Sequence, residues 1–148
     1  MTYIKHYISS KVTVTTYFVE LYNDNLVDLY WILDSKASKV SSVEPPRLEI
    51  KMDEKKMVFV RNSVIKEVFS PSELMDLFNK GNVERHTGAT KMNAESSRSH
   101  SIFSIMVECY DKATKRTTTG KLSLVDLAGS ERADKTGAAA ERLKYVCI

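Results

Sequence analysis

The densest run of apolar positions comes early: residues 11–21 read Lys-Val-Thr-Val-Thr-Thr-Tyr-Phe-Val-Glu-Leu. β-Branched and aromatic side chains at that density suit a pleated, mostly buried strand, which is expected over 12–22. Asn23, Asp24 and Asn25 supply turn residues. The apolar Leu26-Val27-Asp28-Leu29-Tyr30-Trp31 that follows is expected to form a short turn or helix. Residues 35–46 are rich in Ser and Lys and end in Pro45-Pro46, a composition that predicts a loop. Apolar and polar positions then alternate over 47–52 and 57–62 around the charged tip Asp53-Glu54-Lys55-Lys56, the pattern of an exposed hairpin.

The period changes near Ser70. Ser70 is a suitable N-cap, Pro71 fits the first helical position and Glu73 completes a capping-box spacing. Leu74, Leu77 and Phe78 recur at helical spacing and give that helix an apolar stripe, while Gly81 offers one place for it to stop. Two further strands are expected over 101–110 and 121–127, joined by 111–120. The second carries Leu-Ser-Leu-Val-Asp-Leu and delivers Asp126 and Gly129 to its carboxyl end. Open α/β sheets bind ligands at such ends, so site chemistry belongs there.

Composition narrows the classes. A chain of 148 residues with 43% hydrophobic positions can bury a core, and one domain is the default at this length. A net charge of +3 is too mild to indicate nucleic acid and is compatible with an acidic partner surface. Cys109 and Cys147 form no closely spaced metal pattern, and His6, His86 and His100 lack partners at ligand spacing. No stretch reads as a signal peptide or membrane span, which suits a reducing, cytosolic setting. Ser130 follows Gly129 without a G-x-S-x-G elbow, so no acyl-transfer nucleophile is expected. Lys112, Lys115 and Arg116 read as a solubilising basic tip, and Arg132 and Lys135 as either a solvated loop or a contact for an acidic surface.

Two short segments carry the chemistry: Asn93-Ala94-Glu95-Ser96-Ser97-Arg98-Ser99-His100 and Asp126-Leu127-Ala128-Gly129-Ser130-Glu131. In isolation the first would be a self-solvating polar loop and a lone D-x-x-G a turn. Together they supply hydroxyls, a guanidinium, two acids and a glycine N–H, the groups that phosphoryl transfer needs for positioning and electrostatic stabilisation. The phosphate-cradling pattern G-x-x-x-x-G-K-[ST] does not occur in the sequence: the only Gly-Lys pair is Gly120-Lys121, Leu122 follows it, and Lys115 stands where the first glycine should be.

At every fixed position the two segments match N-x-x-S-S-R-S-H and D-L-A-G-S-E, and the chain therefore resembles the kinesin motor domain. Tyr17 to Asp24 with Asp28-Leu29 is similar to that family's Y-x-E-I-Y-N-E-x-x-x-D-L, and Thr90-Lys91-Met92-Asn93 to its T-x-M-N. Gly137 with Leu143-Lys144 resembles the loop after the second switch, so the resemblance covers about 12–144. The family pattern carries the helix from Ser70 on toward Thr87. Leu48-Glu49-Ile50-Lys51 with Met57-Val58-Phe59-Val60 is most similar to carboxy-terminal-motor kinesins of the plant calmodulin-binding type.

The resemblance implies an incomplete P-loop NTPase-like fold, a central mixed β-sheet with flanking helices, that uses ATP and Mg2+. By the same resemblance Ser97 ligates magnesium, Ser96 helps hold the attacking water, and Asn93 and Arg98 order the first switch around the phosphates. Asp126 contacts magnesium through a water, the Gly129 N–H senses the terminal phosphate, and Glu131 pairs with Arg98 to latch the two loops. The implied partner is the microtubule, with no nucleic acid and no membrane, and the full-length protein is a dimer through a coiled coil outside this chain. The implied location is the microtubule cytoskeleton of the cytoplasm. The family's P-loop lies upstream of Met1, and Tyr145-Val146-Cys147-Ile148 replaces the start of its microtubule-binding helix. The chain is accordingly expected to be the middle of a larger catalytic domain, inactive by itself. A competing expectation is a non-catalytic module that binds microtubules or another partner without ATPase activity. A third is a polypeptide that does not fold alone, because a central sheet stripped of neighbours exposes edges and apolar faces.

Overall fold

The protein is described by a computed structural model at residues 10–22, 24–38, 44–54, 56–87 and 99–128. Strand β1 (Ser10–Tyr22) forms where the β-branched run requires it and is the spine of the sheet. A tight turn with Asp24 at φ 62° returns the chain as β2 (Asn25–Asp28), which pairs antiparallel with β1 from Val19↔Asp28 to Tyr22↔Asn25. The segment expected as one apolar turn or helix is thus divided in two. Asp28 divides it: its Oδ1 accepts the N–H groups of Tyr30 (2.9 Å) and Trp31 (3.0 Å), capping α1 (Leu29–Ser38) at its first residue.

Helix α1 also corrects the loop expected from residue 35, since it continues through Ser38; residues 39–43 lie outside the described residues and 44–46 have no regular structure. Tertiary contacts outweigh the Ser/Lys composition here. Lys66 donates to both oxygens of Asp34 (2.7 and 2.9 Å), and Lys36 pairs with Glu84 of the neighbouring helix. The exposed hairpin follows as expected, with β3 (Glu49–Met52) against β4 (Val58–Arg61) in a separate two-stranded sheet. Its tip is closed by Asp53, whose Oδ1 accepts the Met57 N–H at 2.8 Å.

Strand β5 (Lys66–Val68) pairs with the amino-terminal half of β1, on the edge whose other half β2 occupies. Helix α2 (Pro71–Thr87) begins as its capping box dictates. Ser70 Oγ accepts the Glu73 N–H at 3.1 Å, and Glu73 Oε2 accepts the Phe69 N–H at 2.8 Å. Gly81 does not stop it. A Cβ there would lie 2.4 Å from Phe18 Cδ1, so glycine is what lets α2 rest on β1 at this point.

Strand β6 (His100–Asp111) runs antiparallel to β1 on its other edge, and β7 (Arg116–Asp126) runs antiparallel to β6. The sheet order is β2-β1-β6-β7. Strand β7 starts earlier than expected because Thr117, Thr118 and Thr119 extend the ladder, leaving only 112–115 as a turn; Asp111 Oδ1 accepts the Ala113 N–H at 2.8 Å. Every pairing in this sheet among the described residues is antiparallel.

The core sits between the sheet and the two helices. Phe18 packs edge-on against Tyr30 and Phe103 (centroids 6.4 and 5.3 Å) and stacks on Phe78 at 5.7 Å, with Leu74 and Leu77 around it. Burial pushes the Tyr30 hydroxyl up to about 12, so it stays neutral beside Thr16 Oγ1.

Two outcomes follow. Gly81→Ala is expected to lower the unfolding free energy in urea by about 1–2 kcal/mol, because overpacking against a Phe18 ring held by three other aromatics exceeds the gain in helix propensity. Asp28→Ala is expected to cost about 1–3 kcal/mol, since it removes the α1 cap and also the acceptor of the Val64 N–H, 2.6 Å from Oδ2. Burial raises the Asp28 carboxyl above its ordinary 3.8 despite three backbone N–H donors that pull it down. The folded protein therefore holds that proton more tightly than the unfolded chain. Its contribution is full below 3.8 and fades as pH rises through the raised value, so the gap between wild type and Asp28→Ala should narrow as pH rises above 3.8.

Candidate functional site

The register of three strands aligns one polar row. Glu20 on β1 lies opposite Ser101 on β6, and Ser101 lies opposite Asp126 on β7. Side chains alternate across a strand, so the three share the face that also carries Phe18 and Phe103. Helix α2 lies over that face. Its stripe of Leu74, Leu77, Phe78 and Gly81 continues at helical spacing to Arg85, which arrives over the polar row.

Arg85 is 5% exposed in its side chain and binds across the whole row. Nη1 donates to Asp126 Oδ2 at 2.5 Å and to Ser101 Oγ at 3.1 Å, Nη2 donates to the Ser99 carbonyl at 3.1 Å, and Nε lies 3.5 Å from Glu20 Oε1. Ser99 Oγ donates to the same Glu20 oxygen at 2.5 Å. A buried guanidinium needs such company, because an uncompensated charge away from water is costly. The fork of donors suits it to join several acceptors at once in a way that a lysine could not.

The arrangement brings the described ends of the two sequence segments together. Ser99, His100 and Ser101 lead into β6 where Asp126, Leu127 and Ala128 leave β7, and His100 Nδ1 accepts the Ala128 N–H at 3.1 Å. Because β6 and β7 are antiparallel, the carboxyl end of β7 coincides with the amino end of β6. The segments thus meet by hairpin register, not by the crossover that the open-sheet rule assumes. Asn93, Ser96, Ser97 and Arg98 of the first segment and Gly129 and Glu131 of the second lie outside the described residues. Of the expected site residues, Asp126 is described: it stands at the rim, 67% exposed, with Oδ2 taken by Arg85.

An exposed carboxylate is a hard oxygen donor of the type that Mg2+ takes, and Mg2+ keeps most of its waters, so the chemistry of Asp126 fits contact through a water. Among the described residues no cluster of three His, Cys, Asp or Glu could hold a metal by itself. Sequence reasoning did not single out Glu20, Arg85 or Ser101 as parts of this site. A signal existed for Arg85: extending the stripe from Leu74 through Phe78 and Gly81 puts a charged residue on the helix face that must be buried, and such a residue demands partners.

The family model described as the kinesin motor domain matches residues 2–147. The chain is 45% identical over 132 residues to kinesin-like protein KIN-14I of Oryza sativa subsp. japonica and, to the same extent, to kinesin-like protein KIN-14E of Arabidopsis thaliana. Each alignment covers 89% of this chain, which spans about a tenth of those relatives' length. Among solved structures, one titled as a fast kinesin superposes with a TM-score of 0.68 at 32% identity, covering 92% of this chain and 35% of the other. The chain belongs to the kinesin motor domain family.

Proposed function

We propose that this chain is the switch-bearing middle of an ATP-driven microtubule motor of the carboxy-terminal-motor type, with residues 1–148 forming part of one motor domain. The observation that carries the proposal is the junction at the sheet rim. Arg85 and the β6–β7 register hold the exit of the first segment against the start of the second. Arg98 directly precedes Ser99, and Gly129 directly follows Ala128, so residues assigned to phosphate sensing extend from two points that are already neighbours.

In this reading Ser97 would hold the metal, Ser96 would hold the attacking water, and Asn93 would order the first loop around the phosphates. Asp126 would hold the metal through a water, and the Gly129 N–H would donate to the terminal phosphate. Arg98 and Glu131 close as a charge-assisted pair over the nucleotide and part after hydrolysis. Magnesium, when bound, neutralises charge on the phosphate oxygens. The phosphate cradle is not assigned to this chain, whose sequence lacks the required glycine-lysine pattern. By family, the partner is the microtubule, the location the cytoskeleton, and the assembled protein a dimer through a coiled coil.

A chimera in which this chain replaces the corresponding residues of a kinesin motor domain tests the proposal. Microtubule-stimulated ATP turnover is expected in the chimera, and Arg98→Ala should lower it by about a hundredfold or more, the scale of losing a preorganised transition-state contact. A chimera that folds and co-sediments with microtubules but does not turn over would instead make the chain a binding module. The chain by itself is expected to show no turnover.

A further inference from the structure

We propose that His100 is a positioning residue for the start of the second segment: its imidazole holds the Ala128 amide and so fixes the backbone where that segment leaves β7. Two side chains grip the short stretch that leaves β7. Arg85 fixes the Asp126 carboxylate from the helix side of the sheet, and His100 fixes the backbone two residues later, with Nδ1 3.1 Å from the Ala128 nitrogen. His100 lies next to Ser101 in β6 and so points to the opposite face from the Arg85 row. The exit of β7 is consequently held from both faces at Asp126 and Ala128, with Leu127 between them.

The chemistry specifies the state of the ring. An Nδ1 that accepts an N–H carries a lone pair, so the imidazole is neutral and its proton is on Nε2. The contact needs no nucleotide and no metal, unlike the Arg98–Glu131 latch. It gives the first segment a standing connection to the second, through which displacement of residues 99–100 is transmitted to the amide beside Gly129. The consequence for phosphate sensing rests on the function proposed above, whereas the bond itself can be measured without ATP.

The test uses the 148-residue chain labelled with 15N and 13C. Nitrogen shifts of the imidazole report the tautomer, and a scalar coupling between His100 Nδ1 and the Ala128 nitrogen reports the bond. Proton on Nε2 with a measurable coupling is expected. Amide exchange at Ala128 should quicken about fivefold in His100→Ala, the scale of one neutral hydrogen bond. His100→Asn, whose Oδ1 can take the place of Nδ1, should keep the slow rate, and both variants should keep the Asp126 carboxylate resonance at its wild-type position. If His100→Ala fails to fold, the wild-type tautomer and coupling decide alone. A proton on Nδ1 in the wild type, or equal Ala128 exchange in wild type and His100→Ala, would overturn the proposal. Failure of the chimera to hydrolyse ATP would leave these readings unchanged, so the two conclusions stand or fall separately.

Discussion

One buried cation organises this structure. The Arg85 guanidinium lies between the carboxylates of Glu20 and Asp126 and also binds the Ser99 carbonyl and the Ser101 hydroxyl. Its side chain is almost without access to water, so its charge must be answered inside the protein. The acceptors come from β1, from the residues entering β6 and from the end of β7. Losing any of them would leave the guanidinium poorly compensated. The register of three strands and the depth of α2 are therefore tied to the same group that holds Asp126 at the rim.

Packing below the row makes that position possible. Phe18 is the center of the aromatic cluster, and glycine at 81 allows α2 to lie directly on its ring. One further turn along the helix places Arg85 beside Glu20, the next residue of β1 on the same face after Phe18. The apolar contact and the ionic one are consecutive steps along one helix and one strand, so the core sets the site's geometry. At the exposed end of this series Asp126 is held through Oδ2 by Arg85, with its side chain 67% exposed.

Much of this was legible in the sequence, for identifiable reasons. β-Branched density located β1, the Ser70-Pro71-Glu73 signals located the start of α2, and alternation around Asp53-Glu54 located the small hairpin. The two signature segments pointed to the end of β7, where the structure brings residues 99–101 against residues 126–128. Where expectation failed, a tertiary interaction outweighed local composition. Asp28 converts an apolar run into a strand and a capped helix, Lys66 and Lys36 hold a Ser/Lys-rich stretch helical, and three threonines carry β7 back to Arg116. Glu20, Arg85 and Ser101 went unnoticed because their relation is one of register, which no short window of sequence contains.

The central claim is that Arg85 and Glu20 form a buried pair on which the row across β1, β6 and β7 depends. The direct test is a double-mutant cycle on unfolding free energy with Arg85→Met, Glu20→Gln and the double variant. The account expects each single variant to be strongly destabilising and the double variant much less than their sum, with a coupling energy above about 1 kcal/mol. Additivity within about 0.3 kcal/mol would contradict it, since the two side chains would then be independent of one another.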